Sequence, residues 1–451
     1  MRSAIVLAAG KGTRMKSSLC KVMHQCADKP MIGHIITTLK KADVDKIVVV
    51  VGHGADAVKE YLQDEVTYAL QSPQLGTGHA VMQADCLKDC DGDTIVLNGD
   101  GPCIQSETIE KAFAANETHD LTVLSAVLDD GGNYGRIVRE ASGQVKKIVE
   151  AKDCTAQEKT ITEINTGLFV FKTKALFEGL KELTNDNAQK EYYITDLVEI
   201  FNRKGLSTNA LIVDDRDELM GVNDRVDLAK AEAWMKKHIN HKHMLNGVTL
   251  IDWKNTYIGA DVEIGEDTII YPNVVIYGKS KIGKNVQILP NSFLKDAQIG
   301  DDAVIDASKV VDSQVDAQTT VGPMSHLRNH THIHAHCRIG NFVEFKNTDF
   351  NDGSKCAHLT YIGDSEFGKD INVGCGVVTV NYDGKNKHRT VVKDGAFIGS
   401  NCNLIAPVTI GENALLAAGS TITDSVDDGD MGIARARQSN KKGFGTKYKN
   451  K

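Results

Sequence analysis

Nowhere does this chain of 451 residues approach the ~18 consecutive apolar residues that a membrane span needs. Its opening apolar run breaks at Gly10, too short and wrongly built for a signal peptide. Basic residues are not in excess: the formal charge is −8, which argues against a protein that tracks nucleic-acid phosphates. The ten cysteines include no CxxC pair and no zinc-ligand spacing, so they read as reduced thiols of a reducing compartment. A P-loop is missing too, because no stretch has the GxxxxGK(S/T) spacing. These absences leave a cytosolic globular protein with no membrane or nucleic-acid partner, long enough for two to four domains.

What is present, between residues 258 and 422, is an aliphatic residue at every sixth position. Ile258, Ile264, Ile270, Ile276, Ile282, Ile288 and Leu294 keep one phase; Leu327, Ile333, Ile339 and Phe345 keep a second; Ile398, Leu404, Ile410, Leu416 and Ile422 keep a third. A period of six suits neither a 3.6-residue helix nor an alternating strand alone. It suits short strands joined by tight turns, three hexapeptides per coil, with each aliphatic residue pointing into a prism walled by parallel sheets. An ordinary antiparallel β domain would instead show irregular strand lengths and turn signals at 8 to 12 residues. The repeat is similar to the left-handed parallel β-helix of the hexapeptide acyltransferases, and that resemblance implies the hand and the enzyme class. Register breaks at 351–361 and 381–390 are expected to form loops on one face.

Residues 1–225 alternate strand-like runs (4–7, 47–51, 94–97, 121–127, 167–171) with helical stretches, the pattern of a mostly parallel, Rossmann-like α/β sheet that binds ligands at its strands' C-terminal ends. The first run leads into Leu7-Ala8-Ala9-Gly10-Lys11-Gly12-Thr13-Arg14-Met15. Its glycines let backbone amides approach a phosphate chain, and Lys11 and Arg14 add positive charge. With Lys21, this stretch resembles the signature of the nucleoside-triphosphate sugar nucleotidyltransferases. Further segments match that family in order. Gln71 and the loop holding Gly76 and Thr77 resemble the uracil reader. Gly135, Glu150, Asn165 and the segment 191–196 resemble the sugar contacts, and Asp100 and Asn223 the metal ligands. The resemblance implies Mg²⁺ and attack by a sugar phosphate on the α-phosphorus of UTP, a reaction that needs charge neutralisation and in-line positioning rather than a nucleophilic side chain. Asn98, Gly101 and Cys20 depart from the residues usual in that family.

Residues 226–246 contain no glycine or proline, and Leu228, Ala231, Met235 and Ile239 recur at helical spacing. They predict a linker helix, ~30 Å of semi-rigid spacer, between a nucleotidyltransferase domain (1–225) and a β-helix domain with its tail (247–451).

In the second domain Ala357-His358-Leu359-Thr360-Tyr361 and Asn381-Tyr382-Asp383-Gly384-Lys385-Asn386-Lys387, with Arg328, Lys346, Asn372, Ser400 and Arg435, extend the likeness to the whole chain. It resembles the bacterial family of bifunctional N-acetylglucosamine-1-phosphate uridyltransferases and glucosamine-1-phosphate N-acetyltransferases, whose product supplies peptidoglycan and other cell-wall polymers. The resemblance implies that Arg328, Lys346, Tyr361 and Lys387 hold the sugar phosphate, and that Asn372, Asn381 and Tyr382 complete the pocket. His358 is then the general base: amine attack on a thioester needs a neutral amine, and an imidazole is suited to taking the proton. The resemblance further implies that Asn381, Tyr382, Ser400, Ala418 and Arg435 contact acetyl-CoA at sites between subunits of a homotrimer. The alternatives are a single-activity sugar nucleotidyltransferase with a regulatory or oligomerising β-helix, and a non-enzymatic scaffold. The alternating His326, His330, His332, His334 and His336 look like a metal tract but are expected to mark a solvated face. Asn329 stands where proline is expected. The basic tail, 441–451, is expected to be solvated, with contact to CoA phosphates as the alternative.

Overall fold

The apolar runs of the first half become strands because both faces are covered. Lys46–Val51 has five successive buried residues and Arg2–Ala8 four, the continuous pattern of strands inside a sheet covered on both sides. The computed structural model describes residues 1–141, 143–187 and 189–449. In it the chain divides into two units, Met1–Met235 and Lys236–Lys451. No helix among the described residues is long and apolar enough to cross a membrane.

The sheet of the first unit comprises β1 (Arg2–Ala8), β2 (Lys46–Val51), β3 (Thr67–Leu70), β4 (Asp93–Asn98), β5 (Leu121–Val127), β6 (Arg136–Arg139), β7 (Val145–Val149), β8 (Glu163–Lys172) and β9 (Thr208–Ile212). Its order is β9-β5-β8-β4-β1-β2-β3, with β6 joined to β8 and β7 to β6. β1 is parallel to β2 and β4, whereas β8 runs antiparallel to β4, β5 and β6, so the sheet is mixed rather than mostly parallel. Leu7 stands opposite Asn98, and Gly99 N–H donates to Leu7 O at 2.8 Å. The loops after β1 and β4 therefore leave the sheet at one edge. β8 adds to that edge through a register irregularity between Asn165 and Phe169, the kind of bulge that re-aims side chains beside a site. Within it Gly167 has φ +81°, and a Cβ there would lie 2.7 Å from Asn98 Nδ2.

In the first coils of the second unit each short strand pairs in parallel with the third one on. Ile258 lies against Ile276, Ile264 against Ile282 and Ile270 against Ile288, three strands to a coil of eighteen residues. Later coils are shorter, with Ile282 against Ile299 and Leu294 against Val310. The inward position is kept while the sequence phase slips, which is why the aliphatic period changes phase. The break at 351–361 is one of these slips and not an inserted loop. Those residues join or belong to β10 (Arg338–Phe350) and β11 (Lys355–Phe367), which pair along their length with Phe350 against Phe367. The break at 381–390 is an insertion: Val373 pairs with Ile398, twenty-five residues on.

One corner of the coil carries Asn273, Asn291, Ala307, Met324, Phe342, Leu359, Gly376 and Asn401, stacked by the strand registers and all at φ between +39° and +74°. Asparagine and glycine tolerate this left-handed conformation; large apolar residues do so at a cost. Yet Met324, Phe342 and Leu359 follow one another there, 58%, 60% and 61% exposed.

The expected linker is the helix Arg225–Leu245. Its first part packs into the first unit, where Ala27 N–H donates to Glu232 Oε2 at 2.6 Å and Trp234 Nε1–H to Asp215 Oδ2 at 3.1 Å. Its last part packs into the second, where the Asn240 amide donates to Trp253 O and Thr256 O at 2.7 and 3.0 Å. It is thus a packed element in each unit. Of the basic tail, residues 441–447 are exposed, and 450 and 451 lie outside the described residues.

Candidate active sites

β1 ends at Ala8 and the chain turns through Gly10 and Gly12. At Gly12 (φ +58°) a Cβ would meet Lys21 Cβ at 2.6 Å, so the loop lies flat on the Lys21 stem. Gln74 donates to Ala9 O, and the buried Gln71 donates through Nε2 to Gly76 O at 3.0 Å. Gly78 N–H and Tyr192 O, and Tyr192 N–H and Leu75 O, each pair at 2.8 Å. A Cβ on Gly76 (φ +103°) would stand 2.6 Å from Tyr192 O, which is why glycine is required at that crossing. The cavity enclosed is about 400 Å³. Leu7, Ala8, Ala9, Gly10, Arg14, Lys21, Gln71, Gly76, Thr77, Asp100 and Asn223 are among the residues that line it. A second cavity of about 620 Å³ shares Arg14, Asp100 and Asn223 with the first and is closed by Gly135, Glu150 and Asn165. Lys11 is exposed and lines neither.

At the junction the Asp100 carboxylate is paired with Lys21. Asn223 Oδ1 accepts from Lys21 Nζ at 3.1 Å and Arg14 Nη2 at 2.8 Å. A carboxylate and an amide oxygen that together collect two side-chain cations form a donor set suited to a hard divalent cation. Asp227, whose Oδ2 accepts from Asn223 N–H at 3.3 Å and which lines the second cavity, went unseen in the sequence because it sits in a helical run with no motif around it. Burial, offset in part by the Thr195 hydroxyl at 3.3 Å, raises the Glu150 carboxyl above its ordinary range. Burial together with Glu199, Glu150 and Asp153 pushes Asp196 up to about 6.

In the second unit Arg328 and Lys346 stand in register on neighbouring coils. Arg328 pairs with Glu344 at 2.7 Å and Lys346 with Asp364 at 3.4 Å. Asp364 is buried; it also accepts from Asn347 Nδ2 at 2.7 Å and from the amide of Asn381, which lies 3.5 Å from Tyr361 Oη. Burial works to raise this carboxyl, but the Asn347 and Asn381 amides and the Lys346 ammonium outweigh it and hold it below the usual carboxylate range. The same Lys346 ammonium holds Lys387 below the ordinary lysine range. These contacts collect Arg328, Lys346, Tyr361, Asn381 and Lys387 around Asp364, a hub the sequence reading missed because an aspartate after glycine looks like a turn.

His358 lies in strand β11, not in a loop, with Leu359 beside it in the left-handed conformation. Its imidazole is exposed and makes no hydrogen bond among the described residues. Asn341, His358, Cys375, Ser400 and Ala418 stack coil on coil in one column, and Arg435 Nη1 donates to Ala418 O at 3.0 Å. Asn372 opens the strand between Lys355 and Phe397. Tyr382 is 57% exposed and donates to Gly384 O at 2.7 Å, on the inserted excursion that carries Lys387.

Residues 3–236 match the nucleotidyl transferase family model, and residues 389–424 match the bacterial transferase hexapeptide (six repeats) model. The bifunctional protein GlmU of Geobacillus sp. (strain WCH70) is 51% identical over 446 residues, 98% of this chain and 97% of that one. The protein of the same name from Halalkalibacterium halodurans is 50% identical over 452 residues, 100% and 99% of the two chains. That from Clostridium botulinum (strain ATCC 19397 / Type A) is 48% identical over 445 residues, 98% and 97%.

Proposed function

The chain belongs to the GlmU family of bifunctional proteins, and on that premise we propose how its residues divide two reactions between two sites. The enzyme transfers acetyl from acetyl-CoA to the amine of glucosamine 1-phosphate, then uridylyl from UTP to N-acetylglucosamine 1-phosphate, releasing pyrophosphate and forming UDP-N-acetylglucosamine for cell-wall polymers.

In the first unit the nucleoside sits against Gln71, Gly76 and Thr77, its phosphates lie along Gly10–Arg14, and the sugar phosphate enters past Gly135, Glu150 and Asn165. The supporting observation is that Arg14, Asp100 and Asn223 line both cavities, as groups serving an attacking and a transferred phosphate must. Asp100 and Asn223 hold Mg²⁺, which supplies positive charge where the two anions meet. Lys21 and Arg14, which grip those oxygens here, then have phosphates as partners.

In the second unit Arg328, Lys346 and Lys387 take the phosphate of glucosamine 1-phosphate, beside Tyr361. Asn381 and Tyr382, with Asn372, complete the amine's pocket. The amine nitrogen attacks the thioester carbonyl, His358 accepts the amine proton, and the CoA sulfur leaves as the amide forms. Acetyl-CoA follows Ser400 and Ala418 in the His358 column, with Arg435 beside Ala418, and no covalent acyl-enzyme forms. The β-helix assembles as a homotrimer, supported by the Met324, Phe342 and Leu359 ladder: fully covering one such side chain is worth about 1.5–3 kcal/mol.

One assay tests the whole reading: UTP, acetyl-CoA and glucosamine 1-phosphate, with free thiol and pyrophosphate followed together. Thiol release preceding pyrophosphate is the expected result. Pyrophosphate released only from supplied N-acetylglucosamine 1-phosphate, with no thiol, would leave a single-activity nucleotidyltransferase.

A further inference from the structure

Two histidines of the tract are arranged for more than solvation. His332 and His334 flank the fully buried Ile333, so strand alternation sends both imidazoles out on one face, where the rings stack with centroids 3.8 Å apart. From the preceding coil Asp316 brings Oδ2 to 2.9 Å from His332 Nε2 and 3.5 Å from His334 Nδ1. From the following coil Asp349 Oδ1 lies 2.7 Å from His334 Nε2. Both nitrogens of His334 thus face carboxylates, but a neutral imidazole has one N–H to give. An ion between His334 Nδ1 and Asp316 Oδ2 gives both of those atoms a partner.

We propose that Asp316, His332 and His334 form a binding site for a divalent transition-metal ion of the zinc class. Donor atoms of the three residues lie within 4.8 Å of one another, and the 2.9 and 3.5 Å from Asp316 Oδ2 to His332 Nε2 and His334 Nδ1 bracket the roughly 3.3 Å between ligands of a tetrahedral zinc. Two nitrogens and one oxygen favour zinc, cobalt or nickel over magnesium or calcium. The surroundings already orient the ligands. Gln314 Nε2 donates to Asp316 Oδ1 at 2.7 Å, leaving Oδ2 for the ion, and Asp349 accepts from the far nitrogen of His334 as a carboxylate commonly does behind a metal-bound histidine. The three residues are 25–32% exposed, which leaves the fourth position to water. The ion would clamp two adjacent coils, with Asp349 tying in a third.

The test uses the full chain, stripped with chelator and titrated with Zn²⁺ under saturating Mg²⁺, which masks the oxygen site of the first unit. The wild type should take up one more Zn²⁺ per chain than the His332→Ala/His334→Ala double variant, and its thermal midpoint should rise with zinc while the variant's does not. Co²⁺ should give the visible absorption of a four-coordinate nitrogen-containing site in the wild type alone. Asp349→Asn keeps all three ligands and should weaken zinc binding ~10–100-fold. Thiol and pyrophosphate release at wild-type rates will show that the variants are folded; should the double variant misfold, the Asp349→Asn affinity decides. Equal zinc uptake by wild type and double variant, or Asp349→Asn binding unchanged, would overturn the proposal.

Discussion

Lys21 Nζ donates to Asn223 Oδ1 at 3.1 Å across 202 residues of chain, and the same ammonium is paired with Asp100. The lysine therefore occupies the oxygens proposed to hold the metal, and the two cations compete until phosphates arrive for Lys21. Lys21→Met should tighten Mn²⁺ binding to the nucleotide-free enzyme about 10-fold, the order expected when a neighbouring like charge is removed. It should also slow pyrophosphate release by ~10²-fold or more, because a phosphate partner is gone. Mn²⁺ binding and steady-state turnover measure the two effects. Asp100→Asn should stop pyrophosphate release and leave thiol release intact; normal turnover at low Mg²⁺ would refute the ligand assignment.

His358→Ala should lower acetyl transfer by roughly 10²–10⁴-fold, the usual loss when a positioned general base is removed. Uridylyl transfer from supplied N-acetylglucosamine 1-phosphate uses residues of the other unit and should stay within about twofold, a barrier change of ~0.4 kcal/mol. The residual acetyl transfer of the variant should still fall as the substrate amine is protonated. Collapse of both activities together would make His358 a structural residue.

Asp364→Ala should hurt the second unit twice. Lys346, Asn347 and Asn381 lose a common partner, so KM for glucosamine 1-phosphate should rise ~10-fold or more while UTP turnover holds. Leaving a buried charge unpaired costs about 3–5 kcal/mol of stability, readable by denaturant unfolding. The sign with pH follows from the depressed carboxyl. Its contribution is present above the unfolded carboxylate value of about 3.9 and is lost as pH falls through the lower folded value.

Asp196 behaves oppositely. Its folded carboxyl, at about 6, lies above the unfolded value of about 3.9, so between those values the native state binds more protons and stability falls as pH rises. At pH 7 Asp196→Asn should stabilise the first unit by about 1–3 kcal/mol and flatten unfolding midpoints between pH 4 and 6. A variant with the wild-type slope would show that other carboxyls carry the effect.

Period six is legible because every third of a coil must send one aliphatic residue inward, whatever else its turn contains. The slips in phase were legible as well, but not their cause: sequence does not distinguish a coil one residue short, as at Phe350 and Phe367, from one carrying an insertion, as at Val373 and Ile398. His358 was therefore expected in a loop and stands in a strand. The phosphate loop was readable since its glycines and cations are contiguous. Asp364, Asp227 and the pairing of Asp316 with His332 were not, because each depends on which residues neighbouring coils or a distant helix bring together. Antiparallel β8 escaped for the same reason: strand direction is set by pairing, and its apolar run reads alike in both senses.

The twenty-five-residue coil has its two ends pinned. Asn381 and Thr390 are buried, His388 N–H donates to Asn381 O at 2.9 Å, and everything from Tyr382 to Lys387 is exposed. The ladder runs past this excursion, Val373 to Ile398, without using it. A trypsin cut after Lys385 would consequently sever the polypeptide but not the stack. The two fragments would travel as one body on a native gel and part only in denaturant, their sheets intact and their hold on the sugar phosphate gone.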